Sequence, residues 1–73
     1  MRVSVEDIPI REDMIRLGQL LKLAGVIDTG AEVKDFLAHE PVLVNGEPET
    51  RRGRQLHHGD LVAADGRELR VSG

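Results

Sequence analysis

Ile15-Arg16-Leu17-Gly18-Gln19-Leu20-Leu21-Lys22-Leu23-Ala24-Gly25 has the clearest helical period in this chain of 73 residues. Leu17, Leu20, Leu21 and Ala24 recur at i, i+3, i+4 and i+7, which places them on one face of a helix. The spacing predicts a helix from Ile15 to Ala24, with Gly25 as its left-handed C-terminal cap. Lys22 then lies on the opposite side, toward solvent. A second helix is predicted close behind. Thr29 and Glu32 have the S/T-x-x-E spacing of a capping box, and the helix runs from Gly30 to His39, where Pro41 stops it. Val33, Phe36 and Leu37 form its apolar face, with Lys34 beside that face. Only Val26-Ile27-Asp28 separates the two helical segments, so they must pack against each other.

On either side of this pair the period changes to that of strands. Val3, Val5 and Ile8 alternate loosely with polar neighbours over residues 2–8, and Pro9 ends that strand or puts it at a sheet edge. Val42-Leu43-Val44 runs into Asn45-Gly46, a pair that tolerates the positive φ angles of a tight hairpin turn. Glu47 to Thr50 leaves the turn, residues 51–55 are polar and irregular, and Leu56 is a lone anchor before a Gly59-Asp60 turn. Leu61 to Ala64, Asp65-Gly66 and Arg67 to Val71 read as a terminal hairpin. The expected architecture is α+β, with two adjacent helices on a small, mostly antiparallel sheet flanked by N- and C-terminal strands.

The length suits a single domain spanning residues 1–73, and a domain of this size buries only about 60% of the surface its unfolded chain exposes. Phe36 is the only aromatic residue, so the core must be aliphatic. With no cysteine there is neither a disulfide nor a thiolate metal site, which suits a cytoplasmic location. No apolar run approaches the roughly 18 residues of a membrane span, and Glu6 and Asp7 stand where a signal peptide would be apolar. The formal net charge of −3 argues against nucleic acid when taken alone. Its distribution does not. Asp28, Glu32, Asp35 and Glu40 concentrate the acidic excess, whereas Arg51, Arg52 and Arg54 fall within four residues.

Arg51-Arg52-Gly53-Arg54 is the most informative tetrapeptide. Three guanidinium groups in one loop can each donate paired hydrogen bonds to phosphate oxygens, and Gly53 lets the backbone turn and approach closely. The same loop could instead be a solvated one whose arginines pair with Glu47 and Glu49. Lys22 and Lys34, from the flanks of the two helices, either share a cationic surface with this loop or are ordinary solubilising lysines; the same choice holds for Arg16. Asn45 is first a turn residue, and a contact to a base or ribose would be a second role. His57 and His58 point to opposite faces of an extended segment, so they cannot chelate one ion together. No catalytic constellation, phosphate-cradling glycine loop, cofactor motif or metal-ligand set is apparent, so the expectation is a binding protein without enzymatic activity, metal or cofactor. Aromatic stacking residues are missing too, so recognition should run through charge and shape.

The order of these segments — the helix from Ile15 to Gly25, then Thr29 to Leu37, Val42-Leu43-Val44-Asn45-Gly46 and Gly59-Asp60 — resembles the S4 RNA-binding domain family over residues 15–62. The likeness is greatest to small stand-alone bacterial members of the YaaA and YbcJ type, which share the Leu-Gly-Gln-Leu-Leu-Lys-Leu helix and the Glu-Thr-Arg-Arg-Gly-Arg loop. The resemblance implies two antiparallel helices followed by a bent hairpin, the S4-like alpha-L motif. It also implies an RNA face made by the helices and the loop after the first turn. By position that face takes in Lys22, Lys34, Asn45, Arg51, Arg52 and Arg54. The implied partner is structured RNA, ribosomal or transfer, in a setting such as ribosome assembly where ribosomal proteins are further partners. The chain departs from the pattern at Gly30, where many members have a basic residue, and at Glu40, often glycine. Glu32 and Asp35 add negative charge to the second helix.

Two other readings compete. A protein-binding adaptor would use the arginines against an acidic partner. A β-grasp sulfur carrier would share the Val-Asn-Gly and Gly-Asp turns, but such carriers end in Gly-Gly and this sequence ends in Val71-Ser72-Gly73.

Overall fold

The computed structural model describes residues 4–73. In chain order the elements are β1 (Val5–Pro9), β2 (Met14–Arg16), α1 (Leu17–Leu23), a 3-10 turn (Gly30–Glu32), α2 (Val33–His39), β3 (Val42–Val44), β4 (Glu47–Pro48), β5 (Gln55–His57), β6 (Leu61–Ala64) and β7 (Arg67–Ser72). Five strands form one sheet in the order β1-β7-β6-β3-β4, and β2 and β5 form a separate ribbon. All pairings are antiparallel except β1 with β7, which is parallel. The α+β architecture is the expected one.

Turn chemistry sets the hairpins. Asn45 (φ 51°) and Gly46 (φ 85°) join β3 to β4, and Asp65 (φ 52°) and Gly66 (φ 71°) join β6 to β7. Two successive left-handed residues give a two-residue turn the twist its strands need. Gly25 is also left-handed (φ 77°), as expected of the residue after α1. Pro9 is tolerated because β1 is an edge strand. Residues 2 and 3 of the expected first strand lie outside the described residues.

Three details differ from the sequence reading. α1 begins at Leu17, because Met14–Arg16 is extended and pairs with Gln55–His57, Ile15 facing Leu56. A three-residue strand whose partner lies some forty positions away has no local signature, and the helical period absorbs it. Second, the start of the second helix is a 3-10 turn and the Thr29 hydroxyl caps nothing. The Glu32 carboxylate accepts instead from the Asp28 N–H, at 3.5 Å. A one-sided cap forms on α1 instead, where the Gln19 side-chain oxygen accepts from the Arg16 N–H at 3.1 Å. Third, the sheet carries one parallel pair, which alternation alone could not assign.

The apolar faces meet in one cluster. Leu17, Leu20 and Leu21 from α1, Val33 and Leu37 from α2, Leu56 from β5 and the inward residues of β3, β6 and β7 are all buried. Phe36 packs on this cluster from its margin. Each fully buried leucine contributes about 1.5–3 kcal/mol relative to exposure. Arg67 fastens the far side. It donates to both Glu6 carboxylate oxygens (2.9 and 2.7 Å) and to the Ala24 carbonyl at the end of α1 (2.9 Å). Among the described residues no helix is long and apolar enough to cross a membrane.

Candidate nucleic-acid interface

The arginine loop hangs between β4 and β5, and a buried carboxylate organises it. Glu49 is 7% exposed. Its carboxylate accepts from the backbone N–H groups of Thr50 and Arg51 (both 3.0 Å), from Arg51 Nε and Nη2 (both 3.1 Å) and from Arg54 Nη1 (2.9 Å). Burying an ion is costly unless such bonds replace its water. The Arg51 side chain, then its backbone N–H, then Arg54 and the Thr50 N–H hold the Glu49 carboxyl at about 2, against the opposing effect of burial. Of the two carboxylates that could pair with the loop, Glu49 does so; Glu47 is exposed in β4.

The loop is also stitched to the start of α1. Leu17 N–H donates to the Arg54 carbonyl and Gly18 N–H to the Arg52 carbonyl, both at 2.9 Å, and Arg16 Nη1 donates to the Gly53 carbonyl at 3.2 Å. These bonds satisfy two of the helix's unpaired N-terminal donors. Gly18 makes the approach possible, since a Cβ there would lie 3.2 Å from Val33 Cγ1 and 3.5 Å from Arg52 Cβ. Gly53 was expected to serve the turn through its freedom, yet its φ is not left-handed and a Cβ there would meet only Arg16 Nη1 at 3.7 Å.

The expected site residues separate into three adjoining places. Lys34 and Arg52 line one open groove with Leu37, Ala38 and Thr50, and no carboxylate lies among these residues. Arg51 and Arg54 border a second groove with His57 and Asp60. Lys22 lies in a third, with Arg16, against the segment before β2. The hydrogen bond from Arg16 to Gly53 joins the third place to the loop. Asn45 is occupied structurally. Its Oδ1 accepts from the Leu61 N–H at 3.0 Å and its Nδ2 donates to Asp60 Oδ1 at 3.1 Å, tying its own turn to the one before β6. Among the described residues Lys22, Lys34 and Arg52 form no ion pair.

The sequence matches the S4 domain over residues 8–72. The chain belongs to the S4 domain family. RNA binding is the class of function that membership carries. The chain is also 54% identical over 59 residues, covering 81% of it and 83% of the relative, to a Bacillus subtilis (strain 168) protein named "Probable ribosome maturation protein RlbA". The match leaves no place for the sulfur-carrier alternative.

Two roles in this S4 domain went beyond the sequence reading. Glu49 was one of two carboxylates expected beside the arginines, but its burial carried no signal, because Glu47, two positions before it, has the same chemistry and Pro48 between them breaks the strand alternation. Arg16 was visible as a charge but not as the link between α1 and the loop. His58 has a modest local role, its Nε2 lying 3.1 Å from the Glu12 carbonyl. Among the described residues no group of three or more metal-ligating side chains lies together.

Proposed function

We propose that this S4 domain binds structured ribosomal RNA during ribosome assembly, gripping backbone and shape and performing no chemistry on the RNA. The observation that carries the reading is the groove shared by Lys34 and Arg52, two cations from α2 and the loop on one open surface, neither in an ion pair among the described residues. Lys22 and Arg16 extend this cationic strip along α1. Arg51 and Arg54 keep charge in excess of the one carboxylate they share and offer outer guanidinium edges to phosphate. Asn45 holds the neighbouring turn in place. The setting rests on the name of the Bacillus subtilis relative, and it makes ribosomal proteins further partners and the cytoplasm the location.

With about three or four phosphate contacts, log K should fall with log salt at a slope near −3. The test is titration of ribosomal RNA fragments at several salt concentrations. The double variant Lys34→Ala/Arg52→Ala, whose side chains make no ion pair among the described residues, should bind more weakly across many RNA sequences and with a shallower slope. Affinity and slope equal to the parent protein's would sink the assignment. A partner that survives nuclease treatment and depends on the same two cations would point to a protein adaptor instead.

A further inference from the structure

A groove of about 840 Å³ runs between the segment leading into β2 and the flank of α1. Ile10, Met14 and Leu23 are among the apolar side chains that line it. Leu23 is 58% exposed, the most exposed large apolar side chain among the described residues. Arg11, Arg16 and Lys22 stand around the groove against one carboxylate, Glu12. This combination differs from the neighbouring Lys34–Arg52 groove, where no such exposed apolar side chain lies beside the cations.

We propose that this groove receives one unpaired nucleotide of the bound RNA, its base lying against Leu23 and Met14 and its flanking phosphates meeting Arg16 and Lys22. The inference rests on the RNA-binding reading above and adds to it a site for an extrahelical base. Charge complementarity selects the occupant. Three cations beside one carboxylate repel a basic protein segment and attract a polyanion. Continuity selects it as well, because Arg16 reaches from this groove to the Gly53 carbonyl of the arginine loop, so a strand crossing the loop arrives at the groove's edge. Bases present apolar faces that pack on side chains without regard to sequence. An exposed leucine beside phosphate-binding cations supplies such a surface where the chain has no free aromatic ring. Perfect A-form helices keep their bases stacked inside, whereas bulges and loops let one swing out. The domain should therefore prefer helices with an unpaired nucleotide, whatever its identity.

The test uses three RNA hairpins that share one stem: fully paired, with one bulged nucleotide, and with an abasic bulge at the same position. The parent protein should bind the bulged hairpin about five- to tenfold tighter than the other two. Leu23→Ser, an exposed position whose change leaves the core intact, should reduce that preference to less than twofold while binding the fully paired stem as before. A 2-aminopurine placed at the bulge should change its fluorescence on binding the parent protein and not the variant. Equal affinity for the base-bearing and abasic bulges would overturn the nucleotide site while leaving the RNA-binding reading standing. Failure to bind any hairpin or ribosomal fragment would overturn both. A Leu23→Ser variant that keeps the full bulge preference but loses a co-purifying protein would also overturn the proposal, assigning the groove to that protein.

Discussion

Arg51 and Arg52 are neighbours in the chain and live in different surroundings. Arg51 lays two guanidinium nitrogens on the buried Glu49 carboxylate, with Arg54 beside it, whereas Arg52 shares an open groove with Lys34 and has no ion-pair partner among the described residues. The first pair are struts. They shape the loop and lend it only part of their charge. Arg52 and Lys34 are free to spend theirs on a ligand. Counting arginines therefore overstates the available charge of this loop and understates its rigidity. A carboxylate beneath a cationic loop lowers its charge and fixes where the remaining cations stand.

The sharpest way to break this contrast is to remove the strut. Glu49→Ala should destabilise the fold by about 1–3 kcal/mol, because it strips a buried acceptor from several donors. For a domain of this size each kcal/mol lowers Tm by roughly 4–8 °C, readable by circular dichroism. A Tm within a degree of the parent's would show that the loop needs no anchor. Next, Lys34→Ala/Arg52→Ala should cost about tenfold in RNA affinity, or ~1.4 kcal/mol, and flatten the salt slope by about 2, with Tm almost unchanged. Arg51→Ala should do the reverse, lowering Tm more than it alters the slope.

Acid titration sharpens the contrast further. The Glu49 carboxyl sits at about 2 in the folded protein against about 4.5 for the ordinary group. A depressed carboxyl stabilises the fold above its unfolded value, and that contribution is lost as pH falls toward the folded one. Glu6 and Asp7, lowered chiefly by hydrogen bonds from Arg67 and Arg70, act in the same direction. The stability gap between the parent protein and Glu49→Gln should therefore be full at neutral pH and narrow as pH drops from about 4.5 toward 2. A gap that does not change over that range would deny the carboxylate its role. The smallest effect belongs to Gly53→Ala, whose backbone is not left-handed and whose Cβ has room. It should change stability by no more than about 0.5 kcal/mol.

Features governed by near neighbours could be read from the sequence. Asn45-Gly46 and Asp65-Gly66 announced their hairpins because few other pairs accept two left-handed residues, and Leu17, Leu20 and Leu21 announced the buried face of α1. Features governed by distant partners could not. Ile15 looks helical until Leu56 comes alongside it, and nothing local to Val5–Pro9 says that its partner β7 runs parallel. The capping-box spacing at Thr29 and Glu32 misled because the chain tightens there into a 3-10 turn, which carries the carboxylate past Thr29 to Asp28. At the candidate interface the cations were legible as charges. Which of them would be tied down was not, because that depends on which glutamate turns inward.

The pairing of β1 with β7 also bears on timing. Val5 lies opposite Glu68 and Pro9 opposite Ser72, so the earliest described strand is completed by the last. A growing polypeptide holds β1 as an unpaired ribbon until residues 67–72 emerge. Closing so long a loop is slow compared with forming a local hairpin. The helices and the Asn45-Gly46 hairpin can form before residues 67–72 emerge, but β1 gains its partner only once they have. Until then β1 remains open to pairing with whatever strand it meets.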